Sequence, residues 1–405
     1  MVIVGAGEAG TAAAIALREG GWRGRVVLIG NENMLPYERP PLSKAILTEV
    51  TDPGPKWLAT PERLAELRID YLQGRNVERI DRAAHTVTVS DGDQLAYERL
   101  LLTTGARPRK LSIPASAGSR IATLRTYADA LAIRRIIGRG CKVVVIGGGF
   151  IGLEVAASAV SRGASVTVLE AGPRLLTRAV PAAMADLIKA KHERSGVRIQ
   201  TSAIVERIDE NEGRSKVVLA DRRTHLADIV VVGVGAVPNV ELAQAARLAI
   251  HNGIVVDETL TTSDPHIFAA GDSCSFPHRL YDERIRLEAW RNAQRQGAAA
   301  AANMLGANRP YEDVPWFWSD QYDETLQIAG RCRPEDVAVA RSLGAKGQLF
   351  FYLTPRGRLV AACGFGSLGA IAKEIRWAEI MIGRRLAPNP EALADPTVNI
   401  KTLLV

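Results

Sequence analysis

The stretch Val2-Ile3-Val4-Gly5-Ala6-Gly7-Glu8-Ala9-Gly10 places three glycines directly after a short apolar segment, and the helix-forming run Thr11 to Arg18 follows it. A strand that turns into a helix within a few residues needs a tight turn, which Gly5 permits. Gly7 lets the backbone approach a pyrophosphate, and Gly10 lets the helix pack closely on the strand. The helix N-terminus then offers free N–H groups to the phosphates. The stretch therefore predicts a dinucleotide site.

The next apolar strand, Val26 to Ile29, ends at Gly30-Asn31-Glu32, about twenty residues after the first turn. Dinucleotide-binding folds place a polar side chain at this position to contact the adenosine ribose. Asn31 and Glu32 are both candidates for that contact. Taken alone, the first stretch also fits a tight glycine turn in any strand–helix unit.

The same device recurs in Val143-Val144-Val145-Ile146-Gly147-Gly148-Gly149-Phe150-Ile151-Gly152. Gly147, Gly149 and Gly152 take the roles of the three glycines in the first turn. A single-substrate dehydrogenase needs one dinucleotide fold. Two such turns in one chain predict a bound flavin, expected to be FAD, that a diffusible nicotinamide dinucleotide reduces.

The strand that follows the second turn ends in an acid, Val166-Thr167-Val168-Leu169-Glu170. The Glu170 carboxylate would hydrogen-bond both ribose hydroxyls of NAD and repel the 2′-phosphate of NADP. Arg174 lies four residues later and could weaken that preference. We expect NADH to be preferred over NADPH.

Short apolar strands alternate with helical stretches along most of the chain, which is typical of parallel α/β sheets. After Asn308-Arg309-Pro310 the pattern changes to clustered aromatics and a strand-like segment, Leu349 to Leu353. The predicted fold class is α/β, with two Rossmann-like dinucleotide-binding domains and a C-terminal α+β domain. The NAD domain, 109–235, is inserted in an FAD domain formed by 1–108 and 236–310, and the last domain spans 311–405.

Composition excludes several classes of protein. Hydrophobic residues make up 47% of the 405 residues and charged residues 23%, as in ordinary globular proteins. No apolar run is long enough for a membrane span, and the first residues already form a strand, so we expect a cytoplasmic enzyme without a signal peptide. The four cysteines, Cys141, Cys274, Cys332 and Cys363, form no CxxC or CxxxxC pair. Neither a metal site nor a redox-active disulfide is expected.

The net charge of +7 is compatible with nucleic acid, an anionic membrane face or an acidic protein partner. Charges of both signs are mixed along the chain, and no block of five or six like charges occurs. We therefore expect no nucleic-acid or membrane partner. A local basic docking face for an acidic protein remains compatible with the composition.

Motifs outside the two turns narrow the class further. They are Pro36 to Lys44, Thr103 to Pro108, Gly147 to Glu154, Val232 to Asn239, Thr262 to Pro265, Ala270 to Asp272 and Pro315 to Tyr322. Together with the turns, they resemble the FAD-dependent pyridine-nucleotide oxidoreductases with the glutathione-reductase-like fold. Within that family the chain is most similar to the NADH-dependent ferredoxin reductases of bacterial oxygenase systems, over nearly its whole length.

The resemblance assigns cofactor-binding roles position by position. It implies FAD contacts at Gly5, Gly7, Ala9, Gly10, Asn31, Glu32, Lys44, Val77, Thr104, Gly105, Arg125, Asp272 and Trp290. It implies NAD contacts at Gly147, Gly149, Ile151, Gly152, Glu170 and Gly235. Asp272 would hydrogen-bond the ribityl chain, or simply cap a helix. Trp290 would lie near the flavin pyrimidine edge, or serve as a core aromatic.

Three residues are implied to act on the reaction. In similar enzymes the residues matching Lys44 and Glu154 pair beside the isoalloxazine ring, where a lysine charge favours flavin reduction. Phe150 matches an aromatic that covers the flavin face until nicotinamide displaces it, although a helix-packing role is the alternative. The implied chemistry is hydride transfer from NADH to the flavin, in which the protein supplies orientation and electrostatics.

The electron acceptor is expected to be an acidic [2Fe-2S] ferredoxin that serves a haem monooxygenase or a ring-hydroxylating dioxygenase. Disulfide reductases and peroxidases of this fold need a cysteine early in the chain, and this sequence has none before Cys141. Monodehydroascorbate reductases and NADH-sensing flavoproteins, similar to apoptosis-inducing factor, remain alternatives.

The expected docking face contains charged and aromatic residues, namely Arg291, Arg295, Trp316 and Trp318. The two arginines are spaced i,i+4 on a predicted helix, Ala289 to Met304, so they can share one face. A solvated helix face and packing of the C-terminal domain are the simpler interpretations of these residues. We expect the chain to be a monomer or a weak homodimer.

Overall fold

The computed structural model describes residues 1–177 and 179–404. The chain forms two compact units, each assembled from three segments of sequence. Unit one contains Met1–Glu38, Pro55–Arg107 and Val237–Pro315, and unit two contains Arg39–Gly54, Pro108–Ala236 and Trp316–Val405. The division into three domains drawn from the sequence stays a prediction.

Unit one is organised around a five-stranded parallel sheet. Its strand order is Ile267–Ala269, Leu100–Leu102, Val2–Val4, Val26–Gly30 and Ile69–Gln73. Ile3 lies opposite Leu28 on one side and Leu101 on the other, and all three side chains are buried. Continuous apolar runs form the first four of these strands because both faces of a parallel sheet are covered, whereas the edge strand Ile69–Gln73 contains polar residues and is partly exposed. The strand Ile267–Ala269 belongs to the third segment of unit one and returns to this sheet beside Leu100–Leu102.

Two helices of unit one pack closely against each other, Glu8–Glu19 and Trp290–Met304. Small side chains permit the approach: a Cβ on Gly297 would lie 2.2 Å from the carbonyl oxygen of Ala9. The other elements of this unit are the helices Pro61–Glu66 and Glu241–Ala245, the turn Gly271–Ser273, and the strands Val77–Asp81, Thr86–Val89, Gln94–Ala96, Ile254–Val255, Cys274–His278 and Glu283–Ile285.

Unit two repeats the first plan in a second five-stranded parallel sheet. Its order is Arg198–Gln200, Ser165–Leu169, Lys142–Ile146, Ile229–Val232 and Ile121–Ala122. The remaining elements of this part are the helices Ala45–Thr48, Tyr127–Ile136, Phe150–Ser161 and Ala182–Arg194, the turn Pro40–Ser43, and the strands Val205–Asn211, Arg214–Leu219 and Thr224–Ala227. Short strands also occur at Ala106–Pro108 and Ala236–Pro238.

The last part of unit two is an antiparallel sheet with one long helix. The strand order is Trp316–Gln321, Glu324–Gly330, Leu359–Gly366, Gly347–Leu353 and Val337–Ser342. The helix Leu368–Gly383 packs on it, followed by Pro390–Ala394 and the turn Ile400–Leu404, and another turn spans Gly344–Lys346. The predicted α+β character of this region is confirmed.

No helix within residues 1–177 and 179–404 is both long and apolar enough to cross a membrane. Predicted strands and helices agree with the observed ones to within one residue, except that the first helix begins three residues earlier, at Glu8, and the strand predicted from Leu349 begins two residues earlier, at Gly347. Both differences lie at the ends of elements, where a sequence pattern carries the least information.

Candidate functional site

The first glycine turn has the shape of a phosphate-binding loop. Gly5 has a φ of +110°, and a Cβ there would lie 2.2 Å from the carbonyl oxygen of Thr103. A Cβ on Gly10 would lie 1.9 Å from the carbonyl oxygen of Gly5. A Cβ on Gly7 would meet nothing within 4 Å. The outer two glycines are therefore required by packing, and the middle one leaves open space at a helix N-terminus, where a pyrophosphate fits.

Buried polar atoms in unit one also fit a large polar cofactor such as FAD. Gln296 is fully buried; its Oε1 accepts a 2.8 Å hydrogen bond from the Gly271 N–H, while its Nε2 has no partner among the described residues. The Oε2 atom of Glu8 is likewise buried without a partner in the described part of the chain. Buried groups of this kind are costly unless something else bonds to them.

The strand end that faces the adenosine ribose in such folds carries both candidates. Asn31 is exposed, and Glu32 is half-buried and accepts a 2.5 Å hydrogen bond from the Tyr37 hydroxyl. The structure therefore gives Glu32 a fixed orientation through Tyr37. Which of the two residues contacts the ribose stays a prediction.

The other residues that the resemblance assigned to FAD are divided between the units. Thr104 and Asn239 are joined by two hydrogen bonds, from the Thr104 hydroxyl to the Asn239 carbonyl at 2.6 Å and from Asn239 Nδ2 to the Thr104 carbonyl at 2.8 Å. Unit one also contains Ala9, Val77, Gly105, Asp272 and Trp290. Arg125 and Lys44 belong to unit two. The Arg125 N–H donates to Asp129 at 3.0 Å.

The second glycine turn has nearly the same backbone geometry as the first. Gly147 has a φ of +109°, and a Cβ there would lie 2.4 Å from the Gly233 carbonyl oxygen. A Cβ on Gly152 would lie 2.1 Å from the Gly147 carbonyl oxygen, whereas one on Gly149 would have its nearest neighbour at 3.9 Å. The side chain of Ile151 is 45% exposed beside this open position. Unit two thus has its own dinucleotide turn. Gly235, assigned to the same cofactor, is exposed with a φ of +105°.

Glu170 is held in place by the backbone on both sides of the second turn. Its Oε2 accepts from the Gly148 N–H at 2.7 Å, and its Oε1 accepts from the Gly172 N–H at 2.6 Å. A carboxylate has about four lone-pair sites, so each oxygen retains capacity for a ribose hydroxyl. The two amide bonds orient the carboxylate next to the turn before any ligand arrives.

Arg174 is engaged in its own loop. Its Nη1 donates to the carbonyl oxygens of Val180 at 2.9 Å and Leu175 at 3.3 Å, and its Nη2 donates to that of Thr177 at 2.9 Å. Three carbonyl acceptors use much of the donor capacity of one guanidinium. This geometry therefore does not favour the expectation that Arg174 weakens the preference for NADH over NADPH.

Lys44 and Glu154 form an ion pair within unit two. The Lys44 Nζ lies 2.9 Å from Oε2 of Glu154, whose side chain is 4% exposed. The Ser43 hydroxyl donates to the same oxygen, and the Ser319 hydroxyl donates to the other, Oε1, at 2.6 Å. A buried carboxylate is tolerated when it is paired and its lone pairs are hydrogen-bonded. Both conditions hold here.

A line of hydrogen bonds continues from Ser319 into the interior. The Gln321 Nε2 donates to the Ser319 hydroxyl at 3.0 Å, and Gln321 Oε1 lies 2.7 Å from Nε2 of His192. The Tyr322 hydroxyl lies 2.9 Å from Nδ1 of the same ring. Burial lowers the pKa of His192 to about 4, so the ring is neutral at neutral pH. A neutral ring bonded to both partners donates from Nε2 and accepts at Nδ1.

Aromatic residues at the start of the C-terminal sheet lie beside this cluster. The rings of Phe150 and Phe317 are 4.2 Å apart between centroids, and those of Trp316 and Trp318 stack at 5.4 Å. The Lys44 Nζ lies 6.0 Å from the centroid of Trp318. A lysine over an indole face is attracted by the ring quadrupole. The C-terminal sheet therefore brings Ser319 and its aromatic neighbours close to the ion pair of Lys44 and Glu154. The sequence alone did not predict this contribution.

The predicted docking arginines are half-buried on the helix Trp290–Met304 of unit one. Arg295 pairs with Asp313 at 3.1 Å. Trp316 and Trp318 are half-buried in unit two. Their common role in docking stays a prediction.

The chain is similar to known reductases over its full length. The pyridine nucleotide-disulphide oxidoreductase model matches residues 1–297, and the reductase C-terminal model matches residues 316–404. The chain belongs to the pyridine nucleotide-disulphide oxidoreductase family. A relative, the anthranilate 1,2-dioxygenase system ferredoxin–NAD(+) reductase component of Burkholderia cepacia, is 41% identical, covering 100% of this chain and 98% of its own.

Two solved structures have the same fold from end to end. The covalent putidaredoxin reductase–putidaredoxin complex has a TM-score of 0.93 at 37% identity and covers 100% of this chain and 97% of its own. The ferredoxin reductase for the CYP199A2 system of Rhodopseudomonas palustris has a TM-score of 0.94 at 35% identity and covers 100% and 99%. The predicted fold class, the resemblance to ferredoxin reductases and the oxidoreductase class are confirmed. Use of a flavin and of NAD(H) follows from membership of the family.

Proposed function

We propose that this chain is an NADH-dependent ferredoxin reductase with FAD bound at the first glycine turn and NADH at the second. Bound FAD would accept a hydride from NADH and pass electrons singly to the partner. The observation that carries the proposal is the pair of turns, in which Gly7 and Gly149 each leave open space between two glycines fixed by packing. Each turn lies in its own parallel sheet at a helix N-terminus.

The NADH preference is supported by Glu170 and Arg174 together. We expect the adenosine ribose to bind beside the carboxylate that Gly148 and Gly172 fix, since folds of this kind place an acid at the end of the second strand. A 2′-phosphate there would meet a fixed negative charge. The nearby guanidinium, which could otherwise neutralise a 2′-phosphate, is engaged by backbone carbonyls.

Lys44 is the residue we propose to tune the flavin, and Glu154 is its positioning residue. The Lys44 side chain is 23% exposed, while its partner is almost fully buried and held by two serine hydroxyls. Such a fixed carboxylate confines the ammonium to one place, and a fixed positive charge stabilises the negative charge that a reduced flavin gains. Phe150, in contact with Phe317, remains the proposed cover of the flavin face.

The proposed acceptor is an acidic [2Fe-2S] ferredoxin of an oxygenase system. Relatives named as ferredoxin reductases, together with a net charge of +7, support this choice. Arg291, Arg295, Trp316 and Trp318 stay the proposed docking residues. The cytoplasmic location and the monomeric or weakly dimeric state are proposals from the sequence.

Cofactor chemistry is tested on the purified full-length protein under anaerobic conditions. We expect a yellow protein whose flavin absorbance is bleached by NADH at least about tenfold faster than by NADPH at equal concentration. A colourless protein that reconstitutes with no flavin would contradict the FAD assignment. Equal bleaching rates would leave the flavin assignment intact and overturn the cofactor preference.

A further inference from the structure

The C-terminal sheet takes part in the ion pair of Lys44 and Glu154 through a buried hydrogen bond. The two oxygens of the Glu154 carboxylate have separate partners: Oε2 bonds to Lys44 and Ser43, and Oε1 accepts a 2.6 Å bond from the Ser319 hydroxyl. Glu154 and Ser319 are almost completely buried, so solvent has little access to replace a lost partner. With Ser319 on Oε1, the ammonium is left with Oε2, the oxygen that it contacts at 2.9 Å.

The charge on Glu154 sets the direction of every hydrogen bond that follows. A carboxylate only accepts hydrogen bonds, so the single hydroxyl proton of Ser319 is directed at Glu154. The Gln321 atom that lies 3.0 Å from the Ser319 hydroxyl must then be the donor, Nε2, which turns Oε1 toward His192 at 2.7 Å. The ring accordingly carries its proton on Nε2 and accepts at Nδ1 from the Tyr322 hydroxyl, 2.9 Å away.

This series of bonds leaves the Ser319 hydroxyl with one orientation. Ser319, Gln321 and His192 are each at most 1% exposed, so solvent offers the hydroxyl no other partner. Hydrogen bonds that follow one another in a buried series also strengthen one another. The donor that Ser319 presents to the carboxylate is therefore fixed from behind by a glutamine amide and a histidine ring. All of these residues belong to unit two.

We propose that Ser319 is a positioning residue for Lys44 and thereby raises the reduction potential of the bound flavin. Gln321 and His192 orient its hydroxyl for that role. The inference rests on the proposed function, since it needs Lys44 to act on the flavin. A positive charge held at one place stabilises the negative charge that the flavin gains on reduction. Without the Ser319 hydroxyl, a buried carboxylate oxygen lacks its donor, and the ammonium is shared between the two oxygens instead of being held at one.

The test measures the reduction potential of the flavin in the full-length holoprotein by equilibration with a dye of known potential. A purely structural role of Ser319 would alter the free energy of unfolding but not this potential. Ser319→Ala removes the donor, and Ser319→Thr keeps a hydroxyl. Ser342→Ala, which changes an exposed serine of the same sheet, is the control.

A second pair of variants shows whether Ser319 acts through the lysine. Lys44→Met removes the charge, and it is measured alone and in combination with Ser319→Ala. Where Lys44→Met does not fold, Lys44→Gln, which keeps a donor for the carboxylate without the charge, takes its place in both proteins.

We expect Lys44→Met to shift the equilibrium toward oxidised flavin by about tenfold or more, which is about 30 mV for a two-electron couple. Ser319→Ala should shift it in the same direction by about threefold or more, or about 14 mV. Ser319→Thr and Ser342→Ala should stay within about 1.5-fold of the wild type. In the Lys44→Met background, Ser319→Ala should produce no further shift.

The role of Gln321 is measured in the same way. Gln321→Leu removes the donor to Ser319 and should shift the equilibrium toward oxidised flavin by about twofold, whereas it should add nothing to Ser319→Ala. Should Gln321→Leu fail to fold, Gln321→Met, whose side chain is flexible, takes its place. A shift that is absent, or that is equal in both backgrounds, would overturn the part assigned to Gln321.

The outcomes separate the inference from the proposed function. A potential that Ser319→Ala leaves unchanged, while Lys44→Met shifts it, would overturn the inference and leave the proposed function standing. A Ser319→Ala shift that persists in the Lys44→Met background would do the same, since the serine would then act independently of the lysine. A potential that Lys44→Met leaves unchanged would overturn the proposed role of Lys44 as well. A protein that binds no flavin would overturn the proposed function and the inference together.

Discussion

Ser319 donates a 2.6 Å hydrogen bond to Glu154 across 165 positions of sequence. The first strand of the C-terminal sheet thereby completes the bonding of a carboxylate that belongs to the second dinucleotide turn's helix. Ser43 and Lys44 bond the other carboxylate oxygen. The position of the Lys44 side chain thus depends on three separate segments of unit two. A substitution in any of them should alter that position.

Replacement of Ser319 by alanine should destabilise the protein by about 1–3 kcal/mol, because a charged and buried acceptor loses its donor. Ser342→Ala, an exposed serine of the same sheet, is the matched control and should lie within about 0.5 kcal/mol of the wild type. Urea unfolding of the holoprotein, followed by circular dichroism, gives both values. Equal effects of the two changes would show that the bond to Glu154 contributes nothing.

The effects of replacing Lys44 and Glu154 on the free energy of unfolding should be non-additive. Lys44→Met leaves a buried carboxylate with fewer partners and should destabilise strongly, by about 3–5 kcal/mol. Glu154→Gln should cost less, because the lysine is partly exposed and can reach water. The double variant should be more stable than the sum of the single effects predicts. Strict additivity in the unfolding free energies would mean that the 2.9 Å contact carries no coupling.

Lowering the pH should reduce the free energy of unfolding, because the buried ring of His192 must then take up a proton. The pKa of this ring is about 4 in the folded chain, against an ordinary value near 6.5. Its stabilising contribution is complete above about pH 6.5 and is lost as the pH falls toward about 4, which amounts to roughly 3 kcal/mol. His192→Gln should remove much of that slope from the unfolding free energy. A variant that keeps the whole wild-type slope would assign the acid sensitivity to other groups.

Glu170→Ala should weaken NADH binding by about tenfold or more, since the ribose hydroxyls lose a charged acceptor. Glu206→Ala, an exposed acid of the same unit, should leave the binding unchanged. Glu170→Ser with Arg174 unchanged should strengthen NADPH binding only modestly. The reason is that the guanidinium of Arg174 is already hydrogen-bonded to the carbonyl oxygens of Leu175, Thr177 and Val180. Dissociation constants from titrations of the holoprotein decide this. A large gain for NADPH would show that the loop releases Arg174 readily.

The sequence predicted the two parallel sheets and their turns correctly because glycine spacing and apolar runs are local signals. Gly5 and Gly147 are set by backbone geometry that only a few residue types adopt. The donors to Glu154 could not be predicted in the same way, since Ser43 and Ser319 meet it only through tertiary packing.

Reduction of an acidic ferredoxin should slow steeply as salt rises. Charges on an exposed docking face are screened beyond about 8–10 Å near physiological ionic strength. Arg291→Ala should lower the rate at low salt and flatten the salt profile, whereas Arg279→Ala, an arginine paired with Glu258, serves as the comparison. A rate that is independent of salt concentration would contradict the proposed basic docking face and would not affect the proposed flavin site.

The measurement that tests the central claim most directly is the reoxidation of the NADH-reduced protein, followed by stopped-flow absorbance with one acceptor at a time. The acceptors are a [2Fe-2S] ferredoxin, monodehydroascorbate, oxygen and a disulfide. We predict that the ferredoxin restores the flavin absorbance at least about a hundredfold faster than the disulfide or oxygen, and faster than monodehydroascorbate. A protein that monodehydroascorbate or oxygen reoxidises fastest, with no transfer to any ferredoxin, would contradict the account.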